Sequence, residues 1–305
     1  MDALQTSLDR DAQDAPKPAP GKYAPDGDAV DFTTPIGEVA LVPAESISWR
    51  IFKNPIALFV GGVTAVLLEL AEPRVRSGVW DHTTFRLDPI PRMKRTGLAA
   101  MVTVYGPHST AEKMIAGIRR MHERVRGTTP AGEAYHANDP VLLDWVQATA
   151  SFGFLEAYSN FVHPISNADK DALYAEAEPA ARLYGAVGAP SSVAELNALF
   201  DTMRPKLERS EIVFEFLEIM RRAPVMPWPL RPFQRMLVRA GVEITPDWMR
   251  DILGLGSAWG LRPWERAIVS LVGRMSDRIV LPFSPPAQAC GRMGLPRSYL
   301  TAARS

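Results

Sequence analysis

Residues 56–68 have the sequence IALFVGGVTAVLL, an apolar run that is interrupted only by Gly61, Gly62 and Thr64. The run is shorter than the roughly 20 residues that a membrane-spanning helix needs, so it predicts a buried core helix. Each glycine weakens a helix by up to about 1 kcal/mol relative to alanine. A close backbone approach must therefore be useful here, either for tight packing against another helix or for the edge of a cofactor.

Helical periodicity continues along most of the chain outward from this run. Apolar residues recur at spacings of three and four, and alternating runs of β-branched residues are scarce, which favours helices over strands. We expect roughly ten helices and no confident strand. The pattern predicts an all-α fold with a single large helical domain in residues 46–305. Helices in its second half are expected near 167–183, 192–208, 210–222, 231–240, 245–254 and 262–280.

Capping signals indicate the bounds of one helix in the middle of the chain. Ser109 with Glu112 fits a capping box at its start, and Gly127 suits its C-terminal stop. These signals predict a helix over residues 110–126.

A second helix is indicated directly after this one. Asp139 followed by Pro140 fits an N-cap with proline at the first helical position. The helix should carry Trp145 and Thr149 and continue towards Phe161.

The N-terminal residues differ in composition from the rest. Residues 1–45 have little apolar periodicity and predict an extended or disordered arm. The first residues, Met1-Asp2-Ala3, lack a basic stretch followed by an apolar one, so no secretory signal is expected. Cys290 is the only cysteine, which excludes an internal disulfide and any multi-cysteine zinc or iron–sulfur site. Together these features predict a cytoplasmic location.

Charge and hydropathy limit the partners. Lys plus Arg and Asp plus Glu number 34 each, and this balance disfavours a nucleic-acid partner, which usually requires a basic excess. The hydrophobic content of 47% is enough for a sizeable core. No transmembrane segment is expected. Peripheral membrane contact stays open at residues 223–230, APVMPWPL, and so does a homo-oligomer.

Two clusters contain the main candidate functional residues. One is Arg92-x-x-Arg95-Thr96, and the other is Arg119-x-x-His122-x-x-Val125-Arg126. Other pieces stand in order around them: Glu72-Pro73-x-Val75-x-x-Gly78-Val79-x-x-His82-Thr83, Thr103-Val104-Tyr105-Gly106 and Tyr135-x-Ala137-Asn138-Asp139-Pro140-x-Leu142-Leu143-x-Trp145-Val146-x-x-Thr149. In this order the pieces resemble the family that joins bacterial rubber oxygenases (latex-clearing proteins) to fungal MpaB-type oxygenases. The resemblance implies haem b, and therefore iron, as cofactor.

His122 lies in the apolar stripe of its helix, with Ile115, Ile118 and Val125 at spacings of three, four and three. A lone histidine in such a stripe is most often a core residue that a carbonyl or carboxylate satisfies. In rubber oxygenases, however, the matching position supplies the proximal iron ligand. The resemblance therefore implies that His122 binds the iron.

The basic residues around His122 suit the haem propionates. Arg92 and Thr96 share a helix face, and guanidinium groups bind carboxylates in bidentate fashion. Rubber oxygenases have an arginine and a threonine at this spacing near the haem, with a lysine where this chain has Arg95. Arg119 and Arg126 lie one turn on either side of His122 and are expected to reach a propionate or a carboxylate next to the iron ligand. A solvated basic surface is the alternative for all four arginines.

A catalytic acid or base is less clearly marked. The segment around Asp81 and His82 resembles the pocket wall of relatives, so His82 or a nearby carboxylate is expected to steer dioxygen or a proton. A plain N-cap is the alternative for Asp81. Rubber oxygenases use a glutamate upstream of the arginine cluster as a base, for which Glu69, Glu72 and Asp81 are candidates. Glu72 and Gln147 occupy places that many relatives fill with histidine.

The resemblance thus implies a haem b-dependent oxygenase that activates dioxygen at a single His-ligated iron and acts on an apolar, unsaturated or isoprenoid-like small molecule. A non-catalytic haem-binding sensor or carrier is the main alternative, and a helical interaction protein without cofactor is a third. Glu133-x-x-His136 is a single copy of a motif that di-iron bundles need twice. Gly254-x-Gly256-x-x-x-Gly260 has the wrong spacing for a dinucleotide site and no preceding strand.

Overall fold

The computed structural model describes residues 30–301. They form thirteen α-helices, four short 3₁₀ helices and one antiparallel pair of three-residue strands. In chain order the main elements are α1 Ile47–Phe52, α2 Pro55–Ala71, α3 Pro73–His82, α4 Pro89–Tyr105, α5 His108–His122, β1 Arg126–Thr128, β2 Ala134–His136, α6 Pro140–Phe161, α7 Asn167–Tyr184, α8 Val193–Met203, α9 Glu211–Arg222, α10 Arg231–Glu243, α11 Asp247–Leu253, α12 Pro263–Asp277 and α13 Pro285–Arg292. The 3₁₀ helices are Arg204–Lys206, Trp228–Leu230, Ser257–Trp259 and Arg297–Leu300. The predicted all-α class is confirmed.

Helix α2 lies at the centre of the fold, where it packs along α6. Gly61 and Gly153 make the crossing close. A Cβ atom at Gly61 would lie 2.7 Å from Cα of Phe154, and one at Gly153 would lie 2.5 Å from the carbonyl oxygen of Gly61. Farther along, Nε1 of Trp145 donates a hydrogen bond to the carbonyl oxygen of Leu68 (3.3 Å). The predicted buried helix is confirmed, and tight packing explains Gly61.

Side-chain caps fix the starts of both central helices. Oδ1 of Asn54 accepts hydrogen bonds from the backbone N–H groups of Ile56 (3.0 Å) and Ala57 (3.1 Å). Oδ1 of Asp139 accepts one from the N–H of Val141 (2.9 Å). These bonds satisfy donors that the first turn of a helix leaves free. The predicted start and end of α6 are confirmed.

Helices α10 and α12 cover other sides of α2. Oγ1 of Thr64 donates to the carbonyl oxygen of Gly241 in α10 (2.9 Å), and a Cβ atom at Gly241 would lie 2.7 Å from Cγ1 of Val63. Nδ2 of Asn54 donates to the carbonyl oxygen of Gly273 in α12 (2.9 Å). These polar contacts between apolar surfaces hold α2 in one register.

Helix α3 follows α2 after a bend of 111°. Glu72 lies at the bend and caps α3, because its Oε2 accepts a hydrogen bond from the N–H of Val75 (2.8 Å). Within residues 30–301 no single helix is long and apolar enough to cross a membrane, and α2 and α3 meet that requirement only when they are taken together across the bend.

A second, smaller core forms where α4 and α5 meet α13. The guanidinium of Arg292 is buried there and donates to the carbonyl oxygens of Phe32 (2.7 Å), Glu38 (2.8 Å) and Tyr105 (2.9 Å). Helices α1 and α7 each contact both this layer and the central pair α2 and α6. The two layers are therefore joined at their margins.

The predicted N-terminal arm lies only partly within the described residues. Residues 30–45 have little regular structure, and Phe32 and Val42 are buried in the second core. The carbonyl oxygen of Val42 accepts a hydrogen bond from Nε1 of Trp49 (3.0 Å). This part of the arm packs onto the helical domain, and residues 1–29 lie outside the described residues.

The prediction for residues 110–126 is wrong at both ends. Helix α5 begins two residues earlier, and the N–H of Ser109 donates to Oε1 of Glu38 (2.6 Å) rather than belonging to a capping box. It ends at His122, before the hairpin of β1 and β2, which the sequence did not predict. Gly127 is not a helix stop: it lies in β1 beneath the ring of Tyr135, where a Cβ atom would meet the hydroxyl at 2.6 Å.

Candidate active site

One carboxyl group interrupts the apolar sequence of α2. Glu69 is the only charged residue of that helix, it is half-buried, and it has no ion pair within residues 30–301. Burial raises the pKa of Glu69 from 4.5 to about 8, although the charge of Arg92 opposes this. Part of the side chain stays accessible while its surroundings disfavour the charged form. The carboxyl therefore holds its proton near neutral pH.

Arg92, in the first turn of α4, is the cation that acts on Glu69. It is half-buried and forms no ion pair with any residue that the structure describes. Burial lowers the pKa of its guanidinium, Arg95 adds to this effect, and Glu69 opposes it. A guanidinium keeps its charge even in such surroundings. An unpaired, half-buried arginine can bind an anion, preferably a carboxylate or phosphate.

His122, the last residue of α5, lies within electrostatic reach of Arg92. Burial lowers the pKa of His122, and the charge of Arg92 lowers it further. The ring is therefore neutral near pH 7, which is the form that binds a metal. Its Nδ1 is buried and has no hydrogen-bond partner among the described residues.

Asn138 offers the matching group. Its Oδ1 is also buried without a partner in the described part of the chain, while its Nδ2 donates to the carbonyl oxygen of Arg119 (3.0 Å). The two side chains do not form a hydrogen bond of ordinary geometry, yet Asn138 is close enough to raise the pKa of His122. A small adjustment would let Nδ1–H of His122 donate to Oδ1 of Asn138 and satisfy both atoms.

Glu69, Arg92 and His122 come from two layers of helices. Helices α2 and α6 form one layer and α4 and α5 the other, and the backbones of the two layers approach closely at few positions. On the α2 side, Gly62 lies two turns before Glu69, and a Cβ atom there would have no atom within 4 Å. We call the region in which Arg92 acts on both Glu69 and His122 the slot, and Gly62 lies on the same face of α2 as Glu69.

The other predicted cofactor-binding residues lie on exposed positions. Arg95 is exposed but close enough to Arg92 to act on its pKa. Thr96 is exposed, and its Oγ1 donates to the carbonyl oxygen of Arg92 (3.0 Å). The exposed Arg119 extends towards Gly185 after α7, where a Cβ atom would lie 3.7 Å from its Nε. Arg126 is exposed in β1. Only Arg92 and His122 of the predicted set therefore meet in the slot.

Asp81 and His82, the predicted catalytic residues, lie at the exposed end of α3. Nε2 of His82 is 3.0 Å from the hydroxyl of Tyr135 in β2. Burial raises the pKa of Tyr135, and the charge of Asp81 adds to this. This group forms beside the hairpin, and neither Asp81 nor His82 is among the groups that shift the pKa of His122.

The remaining motif residues near the hairpin have ionic and structural partners. Arg74 lies between Glu72 (2.7 Å) and Glu133 (3.4 Å). His136 has its Nε2 3.4 Å from the carbonyl oxygen of Glu123. Among residues 30–301 no three histidine, cysteine, aspartate or glutamate side chains are arranged to hold a metal ion. The geometry of the slot instead offers one imidazole, one free cation and one protonated carboxyl.

The sequence matches one family over residues 49–275, described as ER-bound oxygenase mpaB/B'/Rubber oxygenase, catalytic domain. That range is most of the chain and includes every residue of the slot. The chain belongs to the mpaB/rubber oxygenase family. Membership supports an oxidoreductase of the oxygenase class, with a small molecule and dioxygen as its reactants. A search of curated proteins and a search of solved structures found no match.

Sequence reasoning left two residues of this mpaB/rubber oxygenase domain unassigned. Glu69 was one of three candidate carboxylates, and the signal that favours it is a lone acid in an otherwise apolar helix. Asn138 was part of a motif but had no role. The position of Asn138 before the Asp139 cap did not indicate this role. Its hydrogen-bond acceptor, the carbonyl oxygen of Arg119, belongs to a different element of the fold.

Proposed function

We propose that this chain is a haem b-dependent oxygenase in which His122 would bind a single iron. The observation that carries the proposal is the His122 ring itself: neutral, half-buried, with an unpartnered Nδ1, beside an unpaired arginine in the slot. These features fit haem, which needs a neutral imidazole for its iron and a cation for its carboxylates. When bound, haem b supplies the dioxygen chemistry that side chains lack.

Each residue of the slot then has a defined task. With Nδ1 directed at Asn138, Nε2 of His122 is the nitrogen that is free to bind iron. Arg92 binds a propionate and neutralises it. The open space at Gly62 admits a flat group against the backbone of α2.

Glu69 supplies a proton site within the slot. Its pKa of about 8 means that Oε carries a proton near neutral pH and releases it readily to a stronger base. A sensor or carrier of haem has no need of such a group, so Glu69 favours turnover over mere binding. We expect an apolar, unsaturated or isoprenoid-like substrate, and the resemblance of the chain to rubber oxygenases supports this proposal. Cytoplasmic location, a homo-oligomer and the roles of Arg95, Thr96, Arg119, Arg126, Asp81 and His82 remain predictions.

The test is an absorption spectrum of the purified full chain, before and after addition of haem. We expect a Soret band with one haem per chain, and its loss in His122→Ala. His136→Ala is the matched control, because His136 is a half-buried neighbour of His122 whose ring is directed at a backbone carbonyl. Full haem content and an unchanged spectrum in His122→Ala would remove His122 from the role.

A second pair of variants separates Arg92 from its exposed neighbour. Arg92→Met is expected to weaken haem binding about tenfold or more, as loss of a charge-assisted contact does, whereas Arg95→Met should leave it nearly unchanged. Dioxygen consumption with apolar unsaturated substrates then distinguishes an oxygenase from a sensor or carrier. A protein that binds haem but shows no substrate-dependent consumption would support the sensor or carrier.

A further inference from the structure

Helix α12 has an apolar stripe that faces solvent. Trp264, Ile268, Leu271 and Met275 follow one another at spacings of four, three and four, so they lie on one face of the helix. Between 38% and 59% of each side chain is exposed. Single exposed apolar residues are common on protein surfaces, but a continuous row of this length marks an interaction surface.

The stripe continues beyond the end of α12. Ile279, Leu281 and Phe283 are exposed in the following segment, Phe283 by 72%. We call Trp264, Ile268, Leu271, Met275, Ile279, Leu281 and Phe283 the α12 surface. Its aromatic residues stand at its two ends, and its aliphatic residues lie between them.

Buried contacts fix the direction in which this surface faces. On the opposite side of α12, Glu265 is paired with Arg239 (3.0 Å). A Cβ atom at Gly273 would lie 2.5 Å from the carbonyl oxygen of Phe161, so the helix backbone rests directly on the end of α6. At the C-terminal end, Asp277 is paired with Lys53 (3.1 Å). The helix is thus held by its inner face, and the apolar stripe points outward.

Within residues 262–283 the exposed charges are of one sign. Glu265 and Asp277 are the only acids in residues 262–283, and both are turned inward in ion pairs. Arg274 and Arg278 are exposed and have no ion pair within residues 30–301. An apolar row beside two unpaired cations of its own segment matches a surface that is apolar inside and anionic at its edge.

We propose that the α12 surface docks onto a membrane surface that contains anionic lipids. A bilayer offers acyl chains to the apolar row and phosphate groups to the arginines, with the aromatic side chains at the boundary. A second copy of the chain is a poorer occupant. A two-fold contact places the same surface on both partners, so Arg274 and Arg278 would meet cations without an exposed acid from this segment to pair with.

Membrane docking by the α12 surface does not depend on haem binding, because no residue of the slot belongs to the α12 surface. Its failure would leave the proposed function intact, and the reverse also holds. Docking would place an apolar substrate near the protein.

The experiment is co-sedimentation of the full chain with vesicles of phosphatidylcholine alone or with phosphatidylglycerol added. We expect binding to the anionic vesicles that weakens as ionic strength rises. Leu271→Gln/Met275→Gln should weaken it more than about tenfold, since each buried aliphatic side chain contributes about that factor. Leu87→Gln is the matched control: Leu87 is 87% exposed and lies away from α12 in the chain.

Two further variants give independent measurements. Arg274→Gln/Arg278→Gln should reduce binding to anionic vesicles and abolish its dependence on ionic strength. Quenching of tryptophan fluorescence by brominated lipid should fall in Trp264→Phe and persist in Trp228→Phe, which removes the exposed tryptophan of residues 223–230.

Four results would overturn the proposal. One is the absence of vesicle binding, and another is equal binding by the wild type and Leu271→Gln/Met275→Gln. The third is concentration-dependent self-association that these substitutions abolish, which would assign the surface to a second copy. Loss of quenching in Trp228→Phe alone would move the contact to residues 223–230 and also contradict it.

Discussion

Two stripes of α2 run side by side, one residue apart, and have opposite surroundings. Gly61, Ala65 and Leu68 are buried, and the structure packs them against the backbone and side chains of α6. Gly62, Val66 and Glu69 lie on the neighbouring stripe and are only half-buried. A Cβ atom would clash with α6 at Gly61 but would meet nothing within 4 Å at Gly62.

The difference shows how one helix combines rigidity with a usable surface. Close packing of Gly61, Ala65 and Leu68, which we call the closed stripe, fixes the backbone that carries Glu69. The Glu69 carboxyl therefore has a defined position without a partner of its own. The other stripe, Gly62, Val66 and Glu69, which we call the open stripe, is less tightly packed and leaves space beside the backbone at Gly62. The two glycines therefore have separate roles: Gly61 permits close contact between α2 and α6, and Gly62 leaves space beside the candidate site.

Gly61→Ala should have the largest effect on the closed stripe. The added Cβ atom would lie 2.7 Å from Cα of Phe154 and 2.9 Å from the carbonyl oxygen of Gly153, so α2 and α6 would have to separate. We expect the free energy of unfolding to fall by about 3 kcal/mol or more. Urea denaturation followed by circular dichroism measures it. A free energy within error of the wild type would show that the crossing tolerates a methyl group.

The closed stripe was predictable because its signals are local. An apolar run in residues 56–68 and the Asp139 cap identify α2 and α6 without knowledge of any contact. Even so, local signals were wrong for α5. Ser109 looked like part of a capping box, but Glu38, distant in the chain, satisfies its N–H group.

The open stripe and the slot could not be predicted in full, because they depend on which helices meet. Motifs identified Arg92 and His122, whose chemistry is apparent from residue type. The motifs did not show which carboxyl, that of Glu69 or that of Asp81, belongs to the slot. Glu69 is identified by its burial and by the electrostatic effect of Arg92 on it. The hairpin escaped prediction because strands of three residues show no periodicity.

Glu69→Gln tests the open stripe through pH. The folded chain keeps the Glu69 proton up to a pKa of about 8, whereas an unfolded chain releases it near 4.5. The unfolded state thus binds fewer protons between these values, and the free energy of unfolding falls as pH rises through them. Glu69→Gln removes this loss, so the variant should match the wild type near pH 4.5 and exceed it by a few kcal/mol at pH 9.

The measurement is urea denaturation of the haem-free protein at pH 5, 7 and 9. Glu45→Gln is the matched control, since Glu45 is an exposed glutamate without an ion pair among residues 30–301. If the free energy of unfolding has the same pH dependence in the wild type and in Glu69→Gln, then Glu69 has an ordinary pKa and its carboxyl is not desolvated.

Asn138→Leu tests whether the opposite wall of the slot orients His122. Loss of Oδ1 should weaken haem binding about tenfold, as removal of a ligand's hydrogen-bond partner does, and should lower the iron–histidine stretching frequency of the ferrous protein. Asn138→Asp keeps an acceptor for Nδ1 of His122 but loses the bond to the carbonyl of Arg119. It should retain haem. Equal losses in both variants would mean that Asn138 acts only through Arg119.

Gly62→Ala should give the smallest effect, of opposite sign to that of Gly61→Ala. Alanine favours a helix over glycine by about 0.5–1 kcal/mol, and nothing within 4 Å opposes the added Cβ atom, so the free energy of unfolding of the haem-free protein should rise by that amount. If the space at Gly62 admits a flat cofactor, Gly62→Leu should keep the fold but take up less haem. Urea denaturation and haem titration measure the two effects. A stabilised Gly62→Ala with unchanged haem uptake in Gly62→Leu would show that the open stripe is empty space rather than part of the binding site.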